Sequence, residues 1–327
     1  MNGQRRYWVI ALVAAFVGTT APRAVAESYP TRPVTLIVPS SAGGITDFHA
    51  RIIAGRLERA LGQPLIVENR SGASGIIGMA AAANARADGY TIVLGSISNL
   101  TVAPALGMPI PYDPLKSFEP IIYIGSTPMV LLAHPSLGVR TVHQLVASAK
   151  AKPGNLSYGT GGAMTVAHFA GELFKRTAGI NLLHVPYRGS MQALIAVLGN
   201  EVPLGIDFPD TCAPLVAAGK LRALLVTGSR RVEILPGVPQ AVEQGFPQLD
   251  LLAWGGFFAP AGTLRQIIQR LNEAISKILG SDTTRLQLQQ GGWKIGGGSP
   301  ENLQSLVKAE QAKWAGLVKL TGISMEH

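Results

Sequence analysis

A single cysteine, Cys212, is all that this chain of 327 residues contains. That excludes an internal disulfide, and because Cys212 lies far from the N-terminus it excludes a lipid-anchored mature end as well; a free, buried thiol is the expected state. Charge is scarce, at 14% of residues, and so are aromatics, at 6%. The lysines and arginines are scattered rather than clustered, so no nucleic-acid surface is expected, and the positive surplus favours small anionic molecules instead. After Val17 no apolar run approaches the roughly 20 residues that a membrane helix needs. Also missing are a GxSxG elbow, an HExxH motif and any close pair of His or Cys ligands. Their absence argues against common hydrolase and zinc chemistries, and no metal or cofactor is expected.

What is present begins with a leader. Arg5 and Arg6 precede an apolar run from Tyr7 to Val17, and Ala24-Val25-Ala26 supplies small residues for cleavage. This is the pattern of a secretory signal peptide over residues 1–26. The flanks, Gln4 and Tyr7-Trp8-Val9-Ile10, match the twin-arginine pattern poorly, so general secretory export is expected, with the exported mature chain starting near Glu27. The formal charge of +9 falls by three, to +6, when Arg5, Arg6 and Arg23 leave with the leader.

The mature part is long enough for two α/β units. Short β-type runs alternate with helical patterns: VTLIVP, a helix from Asp47 to Leu61, PLIVE, an alanine-rich helix after Gly75, and YTIVLGS. The first helix places Ile53, Leu57, Ala60 and Leu61 on one face and stops at Gly62 and Pro64. After FEPIIYIG and PMVLLAHP the alternation starts again, through LSYGT, a helix from Met164 to Ala178, NLLHVPY, VPLGIDF and LRALLVTG. AWGGFFAP, a helix over Leu264–Leu279 and another over Pro300–Leu320 close the chain. This order implies two doubly wound, mostly parallel sheets. The expected organisation is a discontinuous first lobe, 27–126 and 250–327, a second lobe, 127–249, and a ligand cleft between them, with crossings near Gly125 to Pro128 and between Gly228 and Trp254.

Two strand–glycine–helix junctions stand out. In PSSAGGITD the glycines let the backbone turn tightly, and the following helix points its free N–H groups and positive dipole end at the same place. The plain alternative is a strand-to-helix turn with Thr46 or Asp47 as cap. No GxxxxGK[ST] or GxGxxG occurs in this turn, which argues against a nucleotide phosphate. LSYGTGGAMTVAHFAGELF repeats the device in the second half, and two helix N-termini facing one cavity suit a carboxylate. GSISN (Gly95–Asn99), VPYRG (Val185–Gly189) and IDFPD (Ile206–Asp210) would reach the same cleft. Arg188 is either a carboxylate partner or a solvated surface residue, and Asp207 and Asp210 either accept from a ligand or cap a helix. His49 and His168 sit near the starts of the two helices without an identifiable nucleophile, so catalysis is not expected of them.

From Tyr29 onward the chain resembles the periplasmic receptors of tripartite tricarboxylate transporters, the Bug-type binding proteins. The resemblance rests on YPTRPVTLIVPSSAGGITD, GQPLIVENRSGASGIIG, ADGYTIVLGS, LSYGTGG, AGELFK, HVPYRGSMQAL, AAGKLRALLVTGSRR and FFAPAGT. It implies a two-lobed periplasmic-binding fold of type II, no catalysis, a carboxylate solute held between the lobes, and delivery to a membrane permease. Carried over, the anchor is Ser41, Ala42, Gly43, Gly44 and Asp47 in the first lobe and Gly159, Thr160, Gly161, Gly162 and Thr165 in the second. Ser96, Asn99 and Asp207 stand at the variable end of the ligand. Ser40, Ser41, Ile45 and Ala163–Thr165 depart from the family pattern, and Ile45, Ala163 and Met164 make the pocket more apolar. A monomer is expected; a periplasmic sensor domain is the alternative partner, and a periplasmic hydrolase using His49 or His168 is the third reading.

Overall fold

The computed structural model describes residues 29–289 and 292–323. The expected leader, 1–26, lies outside them.

The chain opens with β1 (Val34–Val38), α1 (Ile45–Leu61), β2 (Leu65–Asn69), α2 (Ile76–Ala83) and β3 (Thr91–Ser96). The three strands are mutually parallel, β1 lying between the other two. The Val, Leu and Ile side chains of β1 and β3 are buried on both faces, as a parallel sheet requires, while Ile66 of the edge strand β2 stays exposed. α1 starts two residues earlier than its apolar pattern predicts. It seals Ile53 and Leu57 against the sheet and ends at Gly62, whose left-handed backbone (φ 69°) lets its N–H return to Glu58 O. A π-helical turn, Ser98–Val102, runs into a short α3 (Ala103–Ala105). β4 (Phe118–Thr127) then leads, across Pro128 and Met129, into β5 (Val130–Ala133) of the other sheet.

The second sheet adds α4 (Val142–Ala151), β6 (Leu156–Thr160), α5 (Val166–Ala178), β7 (Leu182–Pro186), α6 (Ser190–Leu198), β8 (Leu204–Asp207), α7 (Pro209–Ala217) and β9 (Arg222–Val226). The chain returns to the first sheet through β10 (Ala253–Pro260), followed by α8 (Arg265–Gly280), α9 (Asp282–Gln289), β11 (Lys294–Gly297) and α10 (Pro300–Thr321). The strand orders are β11-β4-β10-β3-β1-β2 and β7-β6-β8-β5-β9. In the first sheet β10 and β11 oppose the other strands; in the second only β5 does. The architecture is α/β and two-lobed, mostly parallel, and each antiparallel strand at a sheet's centre is one that has just crossed between lobes.

The tail completes the first lobe. α8 buries Ile267, Ile268, Leu271, Ile275, Ile278 and Leu279 on one face. Each such side chain contributes about 1.5–3 kcal/mol on leaving water. α10 lays Leu303, Val307 and Trp314 into a core that also contains Phe169 and Tyr158 of the second lobe, so the lobes share packed apolar contact. Cys212 is buried and free. Among the described residues no helix is long and apolar enough to cross a membrane.

Candidate functional site

The two glycine junctions lie at the C-terminal ends of β1 and β6, and the structure joins them. In the first, Gly43 takes a left-handed φ of 76° and Gly44 occupies the N-cap of α1 without a side-chain cap. Neither Thr46 nor Asp47 is the cap. Instead the Asp47 carboxylate, only 3% exposed, reaches back from the first helical turn: Oδ2 accepts from Gly43 N–H at 2.9 Å and from Arg51 Nε at 3.0 Å, and Oδ1 accepts from Asn69 Nδ2 at 2.9 Å. Burial pushes this carboxyl up, but those donors outweigh it and hold it below its ordinary range. Asp47 thus shapes the turn, leaving the first-turn N–H groups of α1 facing outward with no intrahelical acceptor.

The second junction is built with hydroxyls. Thr165 caps α5, its Oγ1 accepting from His168 N–H at 3.2 Å and donating to Gly162 O at 3.0 Å. Thr160 Oγ1 also donates to Gly162 O (3.0 Å) and lies 2.7 Å from His184 Nε2. Because the one hydroxyl hydrogen is used on the carbonyl, the imidazole must be the donor in the second contact. Gly161 has to be glycine: a Cβ there would come within 2.7 Å of Ser190 N and 3.0 Å of Gly189 C, so the 187–190 loop packs directly on it. Gly159 lies one position inside β6, facing Tyr187 and Val202.

Three serines tie these parts across the lobe junction. Ser41 Oγ donates to Arg188 O (3.3 Å), Ser74 Oγ to Ala163 O (2.6 Å), and Ser98 Oγ accepts from Val166 N–H (3.2 Å). They come from the loops after β1, β2 and β3, and all close on the 161–166 turn or the loop beside it. Ser41, Gly43, Gly44, Gly161, Gly162 and Thr165 are therefore brought to one junction, where α1 and α5 both begin. Ser98 lies in the GSISN segment expected at the cleft, whereas Ser74 is not among the residues that the sequence singles out. Its signal was available in RSGASG, which with GSISN makes a second and third strand-to-helix junction on the same sheet edge.

Of the remaining candidates, Asn99 is engaged internally, whereas Asp207 and Asp210 are engaged through Oδ1 alone. Asn99 is buried, with its Oδ1 accepting Ser96 N–H at 2.9 Å and its Nδ2 against Gly75. Asp207, at the end of β8, accepts Phe208 N–H through Oδ1 at 2.9 Å, while Oδ2 is buried without a partner; burial pushes this carboxyl up to about 7. Asp210, also pushed up to about 7 by burial, lies across the junction from His49, which burial holds down to about 4. Among the described residues no group of three or more His, Cys, Asp or Glu side chains is placed to hold a metal.

The family model for the tripartite tricarboxylate transporter family receptor matches residues 49–323. The chain belongs to that receptor family. It is 36% identical over its whole length, and over the whole of the relative, to protein BugT of Bordetella pertussis. Among solved structures it is similar to R. palustris Rpa4515 with adipate (38% identity, TM-score 0.86, covering 90% of this chain and 99% of that one). It is likewise similar to MatC from Rhodopseudomonas palustris with bound malate (31% identity, TM-score 0.84, covering 89% and 100%). Family and fold are those of solute-binding receptors, and the expectation of a receptor rather than an enzyme agrees with them. The receptor's family match begins at His49, inside α1, so the first glycine turn lies just ahead of the matched span.

Proposed function

We propose that this receptor binds a small organic acid in the periplasm, anchoring a carboxylate between the N-termini of α1 and α5 as its lobes close, and hands it to the membrane permease of a tripartite transporter. The observation that carries this reading is the meeting of two glycine turns, each opening a helix, held together by Ser41, Ser74 and Ser98. Both helix dipoles point their positive ends at this junction, and an anion is the charge they favour. Solved relatives with adipate and malate support the same class of solute.

The magnitudes require the donors to act together. A helix terminus contributes about 0.3–2 kcal/mol toward an anion, whereas micromolar affinity needs about 8 kcal/mol. Backbone N–H groups and hydroxyls from both lobes must therefore engage at once, and the exclusion of water on closure strengthens each of them. The Ala163 and Met164 side chains add apolar surface beside the anchor, which favours acids with a hydrocarbon body.

The test is a thermal-shift screen of the mature chain against mono-, di- and tricarboxylates, aliphatic and aromatic, each beside its neutral amide. A ligand at 100 times its dissociation constant stabilises by about 2.7 kcal/mol. Shifts confined to the acids support the reading. Equal shifts with the amides, or none with any acid, overturn it.

A further inference from the structure

The turn between β6 and α5 is held at both ends by two stacked imidazoles. His168 and His184 lie with ring centroids 3.6 Å apart and planes 12° from parallel. At the entry to the turn, His184 Nε2 meets the Thr160 hydroxyl that supports Gly162 O. At its exit, Met164 N–H donates to His168 Nδ1 at 3.0 Å. Met164 is a non-glycine residue at φ 60°, and Gly162 before it is at φ 146°. A long side chain in the left-handed region is strained and persists only where its surroundings enforce it. The bond to His168 is the enforcing contact, and Ala163, between these residues, carries the carbonyl that Ser74 of the first lobe grips.

We infer that His168 is a positioning residue for solute binding: as a neutral imidazole with its proton on Nε2, it accepts Met164 N–H and sets the 161–165 turn in the shape that the first lobe closes upon. This rests on the proposed receptor function. The tautomer follows from geometry, since Nδ1 is an acceptor and Nε2 faces Glu172 Oε1 at 3.8 Å. A second proton, placed on Nδ1, would set two donors against each other at Met164 and put a charge on the stack with His184.

The groups facing His168 are Glu172 and Lys175 on its own helix, His184 on β7, and Tyr158 on β6, whose hydroxyl donates to Glu172 Oε1 at 2.7 Å. Burial holds His168 down to about 4, Glu172 opposing the shift and Lys175 adding to it. The turn therefore keeps its shape at neutral pH and loses it in acid.

Nitrogen-detected NMR of the wild-type chain, with amide exchange at Met164, tests the inference without any solute. Expected are a His168 ring protonated on Nε2 alone at pH 7 and a protected Met164 amide. In His168→Ala that amide should exchange at least tenfold faster. In His168→Asn, whose Oδ1 takes the place of Nδ1, protection should return to within about threefold. Affinity for the acid giving the largest thermal shift, with adipate and malate included as probes, should follow the same order. The wild type should lose affinity from pH 6 to pH 4, and His168→Asn should lose less. A ring protonated on Nδ1, an unprotected wild-type Met164 amide, or equal behaviour of the Ala and Asn variants would overturn the inference. A chain that binds no acid yet shows the exchange pattern would retire the proposed function and leave His168's role in the turn standing.

Discussion

His49 Nε2 lies 3.6 Å from Asp210 Oδ2 across the junction of the lobes, and neither atom has a hydrogen-bond partner within the described residues. Both groups are almost fully buried, and the edge of the Trp293 ring closes over the imidazole with centroids 4.6 Å apart. Burial disfavours charge on each, which holds His49 down and pushes Asp210 up. The pair therefore shares one proton through the mildly acid range, whichever atom carries it. Such a contact exists only when α1 of one lobe meets α7 of the other.

It follows that His49 and Asp210 are energetically coupled. His49→Ala and Asp210→Ala should each lower stability, because each removes the other's 3.6 Å neighbour and opens a void in the buried junction. The double variant should cost less than the two losses together, by roughly 0.5–3 kcal/mol. Denaturant unfolding of the four proteins measures this directly. Strict additivity would mean that the two groups do not interact.

The buried titrating groups also set how stability depends on acidity. His168 and His184, held down to about 4 and about 3 from an ordinary 6.5, are neutral in the folded chain and charged in the unfolded chain near pH 5, so their contribution falls as pH drops below 6.5. Asp207, raised to about 7 from 3.8, does the reverse: it keeps a proton when folded that the unfolded chain has shed, and costs stability as pH rises from about 4 to 7. His49 and Asp210 cancel. The unfolded chain thus binds about one proton more, and stability should rise by about 1.4 kcal/mol per pH unit between pH 4.5 and 6. Asp207→Asn removes the opposing group and should roughly double that slope. Unfolding free energies at four pH values in this window decide the matter, and a slope unchanged by the substitution would show that Asp207 is ionised in the fold.

The two glycine turns should differ sharply under the same substitution. At Gly44, with φ −78°, an added Cβ would find only Ser41 O, at an ordinary 3.4 Å. At Gly161 it would press on backbone atoms of Gly189 and Ser190. Gly44→Ala should change stability by less than about 0.5 kcal/mol. Gly161→Ala should cost about 1–3 kcal/mol, and should weaken acid binding through the displaced 187–190 loop, whose Arg188 carbonyl Ser41 contacts. Unfolding midpoints and calorimetric affinities of both variants test the contrast.

The alternation of strand and helix was legible because parallel strands and their covering helices write their periods plainly, as in VTLIVP before Ile53 and Leu57. Both glycine turns were legible too, since a left-handed Gly43 and a crowded Gly161 both favour glycine. What stayed hidden depends on contacts between distant parts of the chain. Asp47 reads as a ligand group or a cap until Asn69 and Arg51 are seen to hold it. His49 and Asp210 are 161 positions apart, and nothing local marks either as the other's neighbour. The π-helical turn at Ser98–Val102, the polar α9 and the glycine-rich β11 carry no apolar period of their own; α10 packs on the first, α8, β11 and α1 on the second, and β4 pairs with the third.

α10 also carries a contact between the lobes that opening must keep or break. Trp314 is fully buried, its ring edge-on to Phe169 of α5 at 4.5 Å, and its Nε1 donates to Glu310 Oε2 at 3.0 Å. Removing the indole leaves a cavity where the two lobes share a core, and Trp314→Ala should destabilise by about 3–5 kcal/mol. Trp314→Phe keeps an aromatic against Phe169 while losing the bond to Glu310, a group that stays near water, and should cost clearly less. If the junction acts as a packed pivot, the alanine variant should also bind acids more weakly than its loss of folded protein explains, because α5 and its N-terminal turn lose the surface they rest on. Urea unfolding combined with calorimetry under conditions where the variant is fully folded separates the two effects. An alanine variant with native affinity would place the pivot elsewhere, on the β4–β5 and β9–β10 crossings alone.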